Sequence, residues 1–168
     1  MKKQQGFTLI ELVVVIIILG ILAVTAAPKF INLQADARKS TVEGVKAALQ
    51  GANTLIYSKA ALAGKEKAAG ETVTISTGVT VTTDFGYLDS ATDSATVKAN
   101  LEKAMDMTFE AITDAGTVAT GDYGVIWVSD SSFIIMPKGK KSTDSCLLNY
   151  TPATATTAPN YVLIVTDC

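Results

Sequence analysis

An apolar stretch near the start of the chain constrains its fold more than any other feature. It runs from Phe7 to Ala27 and carries one ionisable side chain, Glu11. As a helix rising 1.5 Å per residue, this stretch extends roughly 31 Å, which is enough to cross the hydrocarbon layer of a bilayer. No side of the stretch is polar, which argues against a core helix of a soluble domain. The pattern therefore predicts a helix that lies in a membrane or in another apolar environment.

Two kinds of N-terminal segment fit residues 1–27. A secretory signal peptide would have the basic Lys2 and Lys3, an apolar region and the small residues of AVTAA before a cleavage point. Against it, the apolar region is long, a carboxylate interrupts its start, and Pro28 lies where cleavage would expose it. A transmembrane anchor explains everything except the carboxylate, and the positive-inside rule then keeps the two lysines in the cytoplasm.

The carboxylate of Glu11 suggests a role in assembly. A charged side chain in a membrane helix costs about 3 kcal/mol on insertion scales, and no Lys or Arg lies within the stretch to pair with it. Cleavage between Gly6 and Phe7 would create a cationic α-amine one helical turn away. The amine of the same chain or of a staggered copy would then pair with Glu11, and pairing between copies would set their register. The alternative is a carboxylate that only reaches back to water at the interface.

Gly20 and Pro28 are weak points of the predicted helix, because glycine lowers helix stability and proline removes a backbone hydrogen bond. In a filament they would let the helix curve or unwind locally; otherwise they form a tolerated kink without a role in assembly. Beyond Pro28 the apolar residues recur at spacings of three and four, which predicts that the helix continues to Ala63, with Gly64 ending it. This stripe consists of Val42, Val45, Leu49, Ala52 and Ile56.

The rest of the chain has the patterns of a soluble α+β domain. TVTISTGVTVTT alternates β-branched and polar residues, YGVIWV and FIIM flank a turn at SDSS, and YVLIVTD precedes the C-terminus. Residues 94–112 have apolar residues at a spacing of four, which predicts a short helix. We therefore expect a helical spine packed on an antiparallel sheet.

The composition excludes several classes of function. The chain contains no histidine, which removes the commonest general base and metal ligand, and no phosphate-binding loop or nucleophile motif is present. We therefore predict no catalytic residue, no metal site, no cofactor and no enzymatic activity. Cys146 and Cys168 predict one disulfide in an oxidising compartment, the alternative being two separate buried thiols.

The segment GFTLIELVVVIIILGILA resembles the N-terminus of prepilins, the precursors of type IV pilins and of the related pseudopilins. The resemblance lies in a short basic leader ending in Gly6, then Phe7, Glu11 and a long apolar helix, as in the type IVa subclass. The longer segment ILGILAVTAAPKFINLQADAR resembles the mannose-sensitive haemagglutinin pilins of aquatic bacteria. The resemblance to prepilins implies that prepilin peptidase cuts after Gly6 and methylates the new amine of Phe7. It also implies that Glu11 is needed for the incorporation of subunits. It also implies helix melting between Gly20 and Pro28 in filaments, and an exposed C-terminal segment bounded by a disulfide.

The resemblance to prepilins, together with these patterns, predicts a major structural subunit of a type IV pilus. Its parts are a leader at 1–6, an apolar helix at 7–29, its amphipathic continuation at 30–63 and a head at 64–168 with a disulfide-bounded region at 146–168. The expected partners are other copies of the chain, the inner membrane before assembly, prepilin peptidase, the pilus assembly machinery and an unknown surface receptor. In a Gram-negative bacterium, the head would lie in the periplasm before assembly, and the finished fibre would lie outside the cell. Its expected role is adhesion and biofilm formation, and motility and DNA uptake are further roles of the family. The rivals are a type II secretion pseudopilin and a soluble exported binding protein.

Overall fold

The computed structural model describes residues 6–90 and 92–168. It contains two compact units, one ending at Ala37 and the other spanning Arg38–Cys168. The long N-terminal helix and the α+β architecture that the sequence predicts are both confirmed. In chain order the elements are α1 (Leu9–Leu62), β1 (Glu71–Ser76), β2 (Val79–Asp84), β3 (Tyr87–Leu88), α2 (Ser94–Ala104), β4 (Glu110–Ile112), β5 (Tyr123–Ser129), β6 (Ser132–Pro137), β7 (Leu147–Thr151) and β8 (Asn160–Ile164).

The second half of α1 buries the predicted apolar stripe. Its side chains share one apolar cluster with α2 and with the inward side chains of the strands, among them Phe133 and Leu148. The helix ends as Gly64 adopts φ +69°, a conformation that glycine reaches without a steric penalty. The Gly64 N–H donates to the Ala61 carbonyl at 3.1 Å and the Lys65 N–H to the Ala60 carbonyl at 2.9 Å, which completes a Schellman motif. The predicted end of this helix at Gly64 is therefore confirmed within two residues.

The strands form two sheets, of three and five strands, in the orders β1-β2-β3 and β4-β5-β6-β7-β8. The predicted hairpins are β1–β2, with Gly78 at φ +75° in its turn, and β5–β6. The other four pairings have no counterpart in the sequence pattern, among them the short antiparallel pair of β2 and β3. Strand β4 runs parallel to β5, and β7 lies between β6 and the predicted last strand, β8.

The helix expected over residues 94–112 is shorter than predicted. Its start is well specified, because the carboxylate of Asp93 accepts the N–H groups of Ala95 at 2.8 Å and Thr96 at 2.9 Å. It ends at Ala104, and the carboxylate of Glu102 then accepts the Phe109 N–H at 2.9 Å. This bond holds the segment that connects α2 to β4. Phe109 therefore reaches the core from an extended segment and not from the helix.

The C-terminal region is fastened to the rest of its unit at several points. Cys146 and Cys168 form the predicted disulfide, with a sequence separation of 22. The guanidinium of Arg38 donates to the Cys168 carbonyl at 3.1 Å, and the Lys140 ammonium donates to the Asp167 carbonyl. Between the cysteines, residues 154–158 are exposed, as the sequence predicts for this Thr- and Ala-rich loop.

We expect the double substitution of Cys146→Ser and Cys168→Ser to lower the free energy of unfolding of the head by about 3 kcal/mol. The reason is that opening a loop of this length releases chain entropy in the unfolded state. Urea unfolding of the detergent-solubilised chain, followed by the fluorescence of Trp127, measures the change. Thr156→Ala, in the exposed loop, is the control and should leave the midpoint unchanged. A double variant as stable as the parent chain would contradict the prediction.

A buried asparagine joins α1 to both sheets. The side chain of Asn53 is 1% exposed, and its amide nitrogen donates to the hydroxyls of Tyr150 at 3.2 Å and Tyr161 at 2.6 Å. Its amide oxygen accepts the Leu88 N–H at 2.8 Å, while the Tyr150 hydroxyl donates to the Leu88 carbonyl at 2.7 Å. Burial raises the pKa of Tyr150 well above its usual value, so this hydroxyl stays protonated as a donor. These bonds hold together α1, β3, β7 and β8.

Candidate functional site

The start of α1 is built by a reciprocal pair of side chains. Thr8 precedes the first helical residue, and both its N–H and its hydroxyl donate to Oε2 of Glu11, at 2.8 Å and 2.7 Å. In return the Glu11 N–H donates to the Thr8 hydroxyl at 3.3 Å. This arrangement is a capping box, in which a threonine at the N-cap and a glutamate three residues later satisfy each other's backbone donors. The carboxylate therefore has a local structural role besides any role in assembly.

Thr8 is a site residue that the sequence analysis missed. The signal for it is the tetrapeptide TLIE, which has the spacing of a capping box at the start of an apolar helix. Glu11 stands out as the one charge in an apolar stretch, whereas Thr8 is an ordinary polar residue unless its spacing of three from Glu11 is considered. Both residues lie where the positive end of the helix dipole favours a carboxylate.

The predicted pairing of Glu11 with the amine of Phe7 stays a prediction. In the chain described here, Gly6 and Phe7 are joined by a peptide bond, so no cationic amine exists next to the carboxylate. Phe7 is 89% exposed, so a neighbouring copy could reach this residue. Cleavage after Gly6 would leave the capping pair intact, because Thr8 and Glu11 both lie on the C-terminal side of the cut.

The helical segment Leu9–Ala27 is long and apolar enough to cross a membrane. It has 19 residues and a mean hydropathy of 3.0, and none of it is buried within the chain. At 1.5 Å per residue its length is about 28 Å, close to the thickness of a bilayer core. Exposing so much aliphatic surface to water is energetically unfavourable, so the segment needs lipid or other protein surfaces around it.

The helix continues through both predicted weak points. Gly20 and Pro28 lie inside α1, so neither residue ends the helix in the single chain. A side chain at Gly20 would meet no atom within 4 Å, which means that packing within the chain does not require glycine there. The hydroxyl of Thr25 donates to the Leu22 carbonyl at 3.0 Å, which satisfies this polar group within the helix. Local melting concerns the assembled filament and stays a prediction.

The described residues offer little else that resembles a reactive centre. In the ranges 6–90 and 92–168, no group of three or more Asp, Glu, Cys or His side chains is placed to hold a metal ion. Several carboxylates have structural partners instead. Glu110 accepts the N–H of Gly121 at 2.8 Å and the hydroxyl and N–H of Thr120 at 2.9 Å and 2.7 Å, and these bonds hold the pKa of its carboxyl below the usual value.

In the comparison with known proteins, most matches cover the N-terminal segment of the chain. Residues 1–27 match the family described as the prokaryotic N-terminal methylation motif. The major component of a type IV narrow pilus from Thermus thermophilus is 44% identical over 50 residues, 30% of this chain and 43% of that protein. Core protein G of the type II secretion system of Klebsiella pneumoniae is 42% identical over 52 residues, 31% of this chain and 37% of that protein. The chain thus matches less than half the length of either relative. No solved structure matches it significantly.

A longer match extends into the head. The type IV major α-pilin of Moraxella bovis is 33% identical over 127 residues, which cover 71% of this chain and 69% of that protein. Its extent goes well beyond the apolar helix, which pilins share with other proteins that carry the methylation motif. Together with the long exposed helix, the antiparallel sheet packing and the C-terminal disulfide, this match assigns the chain to a family. The chain belongs to the type IV pilins.

Proposed function

We propose that this chain is the major structural subunit of a type IV pilus. The observation that carries the proposal is the apolar helix Leu9–Ala27, none of which is buried within the chain, with one carboxylate in the capping box at its start and a methylation motif that spans residues 1–27. Bundling such helices in the centre of a filament removes their apolar surface from lipid and water. Copies that stack by head-to-tail contacts which do not close form a helical fibre.

The proposed maturation begins in the inner membrane, where the apolar helix anchors the chain with its head in the periplasm. Prepilin peptidase removes residues 1–6 and methylates the new amine of Phe7, and the assembly machinery then transfers the subunit to the filament base. There the Phe7 amine of one copy pairs with Glu11 of a neighbour. This pairing is supported by the position of Glu11, because it is the one ionisable side chain in the membrane-length helix.

The proposal is tested by mass spectrometry of the N-terminal peptide from filaments sheared off intact cells. A peptide that starts at N-methylated Phe7 is the expected result, and it would establish both processing and surface assembly. A chain that starts near Ala27 and is free in the periplasm would overturn the proposal. It would also identify the apolar segment as a removable signal peptide.

A type II secretion pseudopilin is the second candidate. It is favoured by the likeness of the N-terminal segment to core protein G of the Klebsiella secretion system. The same mass spectrometry separates the two, because a pseudopilin is processed at Phe7 but stays in the cell envelope. Processed chains found in the envelope fraction and absent from sheared material would support this second candidate.

We further propose that the fibre serves in surface attachment and biofilm formation on a Gram-negative cell. Support comes from the exposed loop 154–158, which is uncharged and is held between two fastened cysteines, so a repeating fibre would present many copies of it. Cells that lack this chain should attach less to glass, and expression of the chain should restore attachment. Unchanged attachment of filament-free cells would refute this role.

A further inference from the structure

A cavity of about 330 Å³ lies within the unit Arg38–Cys168 and has no part in the proposed assembly chemistry. It is bordered by the last turns of α1, by the turn between β2 and β3, and by the loop 153–158. Its lining combines aromatic rings with one acidic and one basic side chain: Tyr57, Phe85, Tyr87, Glu66 and Lys67.

The aromatic wall is held in an unusual backbone conformation. The rings of Tyr57 and Tyr87 stack with centroids 4.7 Å apart and an angle of 22° between their planes. The turn before Tyr87 consists of Phe85 at φ +49° and Gly86 at φ +83°. A two-residue turn between paired antiparallel strands, here between Asp84 and Tyr87, favours positive φ at both of its residues. Phe85 adopts this conformation although a bulky residue rarely does, so the hairpin turn fixes its place at the cavity.

Gly86 is required by the same wall. A β-carbon at this position would lie 2.9 Å from Cδ2 of Tyr57 and 3.3 Å from the Cα of Glu66. Any side chain at this position would therefore push apart the ring of Tyr57 and the backbone at Glu66. The close approach brings an aromatic surface and a carboxylate to the edge of one small cavity.

The carboxylate of Glu66 lacks adequate compensation for its charge. Its Oε2 atom is shielded from solvent and has no hydrogen-bond partner among the described residues. The ammonium of Lys67 lies 3.9 Å from Oε1, at the outer limit of an ion pair, and the Lys67 side chain is 88% exposed. An exposed pair of this kind contributes little. The Glu66 side chain is 21% exposed and lines the cavity, so a ligand can reach its carboxylate there.

We propose that this cavity binds a primary alkylammonium group, with Glu66 as counter-ion and the aromatic side chains as its apolar wall. Cations are attracted to the faces of tyrosine rings, and an ammonium also supplies the N–H donors that a carboxylate accepts. The charge balance of the surrounding segment, residues 57–90, slightly favours a cation over an anion. This segment carries four carboxylates, Glu66, Glu71, Asp84 and Asp89, and three ammonium groups, Lys59, Lys65 and Lys67.

The test titrates the ¹⁵N-labelled full chain, solubilised in a neutral detergent, with n-butylammonium chloride. The site lies within one subunit, so the test does not require filaments, and the result is independent of the proposed pilus function. We expect saturable shifts of the Glu66 and Gly86 amide signals, with a Kd in the millimolar range for so small a ligand. n-Butanol, which has a similar shape and no charge, should cause no saturable shift.

Two variants of neighbouring residues test the role of charge with opposite expectations. Glu66→Gln should weaken binding about fivefold or more, because it removes the counter-ion. Lys67→Met should strengthen binding about twofold, because it removes a competing cation from an exposed position where folding is not at risk.

Three results would overturn the proposal. One is the absence of saturable shifts up to about 100 mM ligand, far above the expected millimolar Kd. Another is equal binding of butanol, which would assign the cavity to neutral ligands. The third is weaker binding by the Lys67→Met variant, which would show that the shifts come from the chloride of the added salt and not from the ammonium ion.

Discussion

Replacing Glu11 by Gln is expected to reduce the yield of sheared filaments about tenfold or more. Glutamine can still serve in the capping box with Thr8, because that motif accepts either glutamate or glutamine. What the substitution removes is the charge, and with it the proposed pairing to the Phe7 amine of a neighbouring copy. A tenfold loss corresponds to about 1.4 kcal/mol, which is modest for an ion pair in an apolar filament core.

The matched control is Thr8→Val, which removes the capping hydroxyl and keeps both the side-chain shape and the carboxylate. The loss of an N-cap lowers helix stability by about 1 kcal/mol, and lipid or protein contacts of the apolar helix outweigh this amount. Filament yield should therefore stay within about twofold of the parent chain, since assembly depends on the charge. Mass spectrometry of Phe7 in both variants separates failed assembly from failed processing. If Thr8→Val blocks assembly and Glu11→Gln does not, capping would be the function of the pair.

Substituting Asn53 by Leu is expected to lower the free energy of unfolding of the head by about 3 kcal/mol. The amide of Asn53 bonds to Leu88, Tyr150 and Tyr161, and the variant leaves the buried Leu88 N–H without its partner. Leucine has the same branched skeleton as asparagine but is bulkier, because methyl groups replace the amide oxygen and nitrogen, and it must therefore fit into a close-packed position. Urea unfolding followed by Trp127 fluorescence provides the measurement.

Thr54→Ala is the control for the asparagine variant, because Thr54 is the next residue of α1, is exposed, and bonds only to its own helix through the Gln50 carbonyl at 2.9 Å. Its substitution should change the free energy of unfolding by about 0.5 kcal/mol or less. An Asn53→Leu variant that is as stable as Thr54→Ala would show that the polar contacts between α1 and the sheets contribute little.

Several features of this protein follow from local sequence patterns. The stripe from Val42 to Ile56 shows the helical period of the residues that meet the core, and the structure confirms it. The hairpins follow from alternating β-branched residues around Gly78 and from the turn at SDSS, and the helix end at Gly64 follows from a local glycine conformation. Each of these signals involves residues within a few positions of one another, where periodicity and turn chemistry decide the conformation.

The capping pair of Thr8 and Glu11 was also readable from the sequence, since its spacing is a local motif. The membrane-length helix was predicted for the same kind of reason, because length and hydropathy are properties of a single segment. The sequence pattern overestimates the length of the short helix α2. Apolar residues recur at a spacing of four as far as Phe109, but the helix itself ends at Ala104.

Only the tertiary structure decided the long-range arrangements. The parallel pairing of β4 with β5 and the insertion of β7 beside β8 depend on contacts between segments that are distant in the chain. Asn53 lies on the buried side of α1 beside the apolar stripe, where its polar side chain is acceptable only because Leu88, Tyr150 and Tyr161 from other elements bond to it. The cavity beside Glu66 forms in the same way, from a helix end, a turn and a loop. Local propensity determines which elements form, whereas the burial of polar groups and the shape of cavities depend on which elements meet.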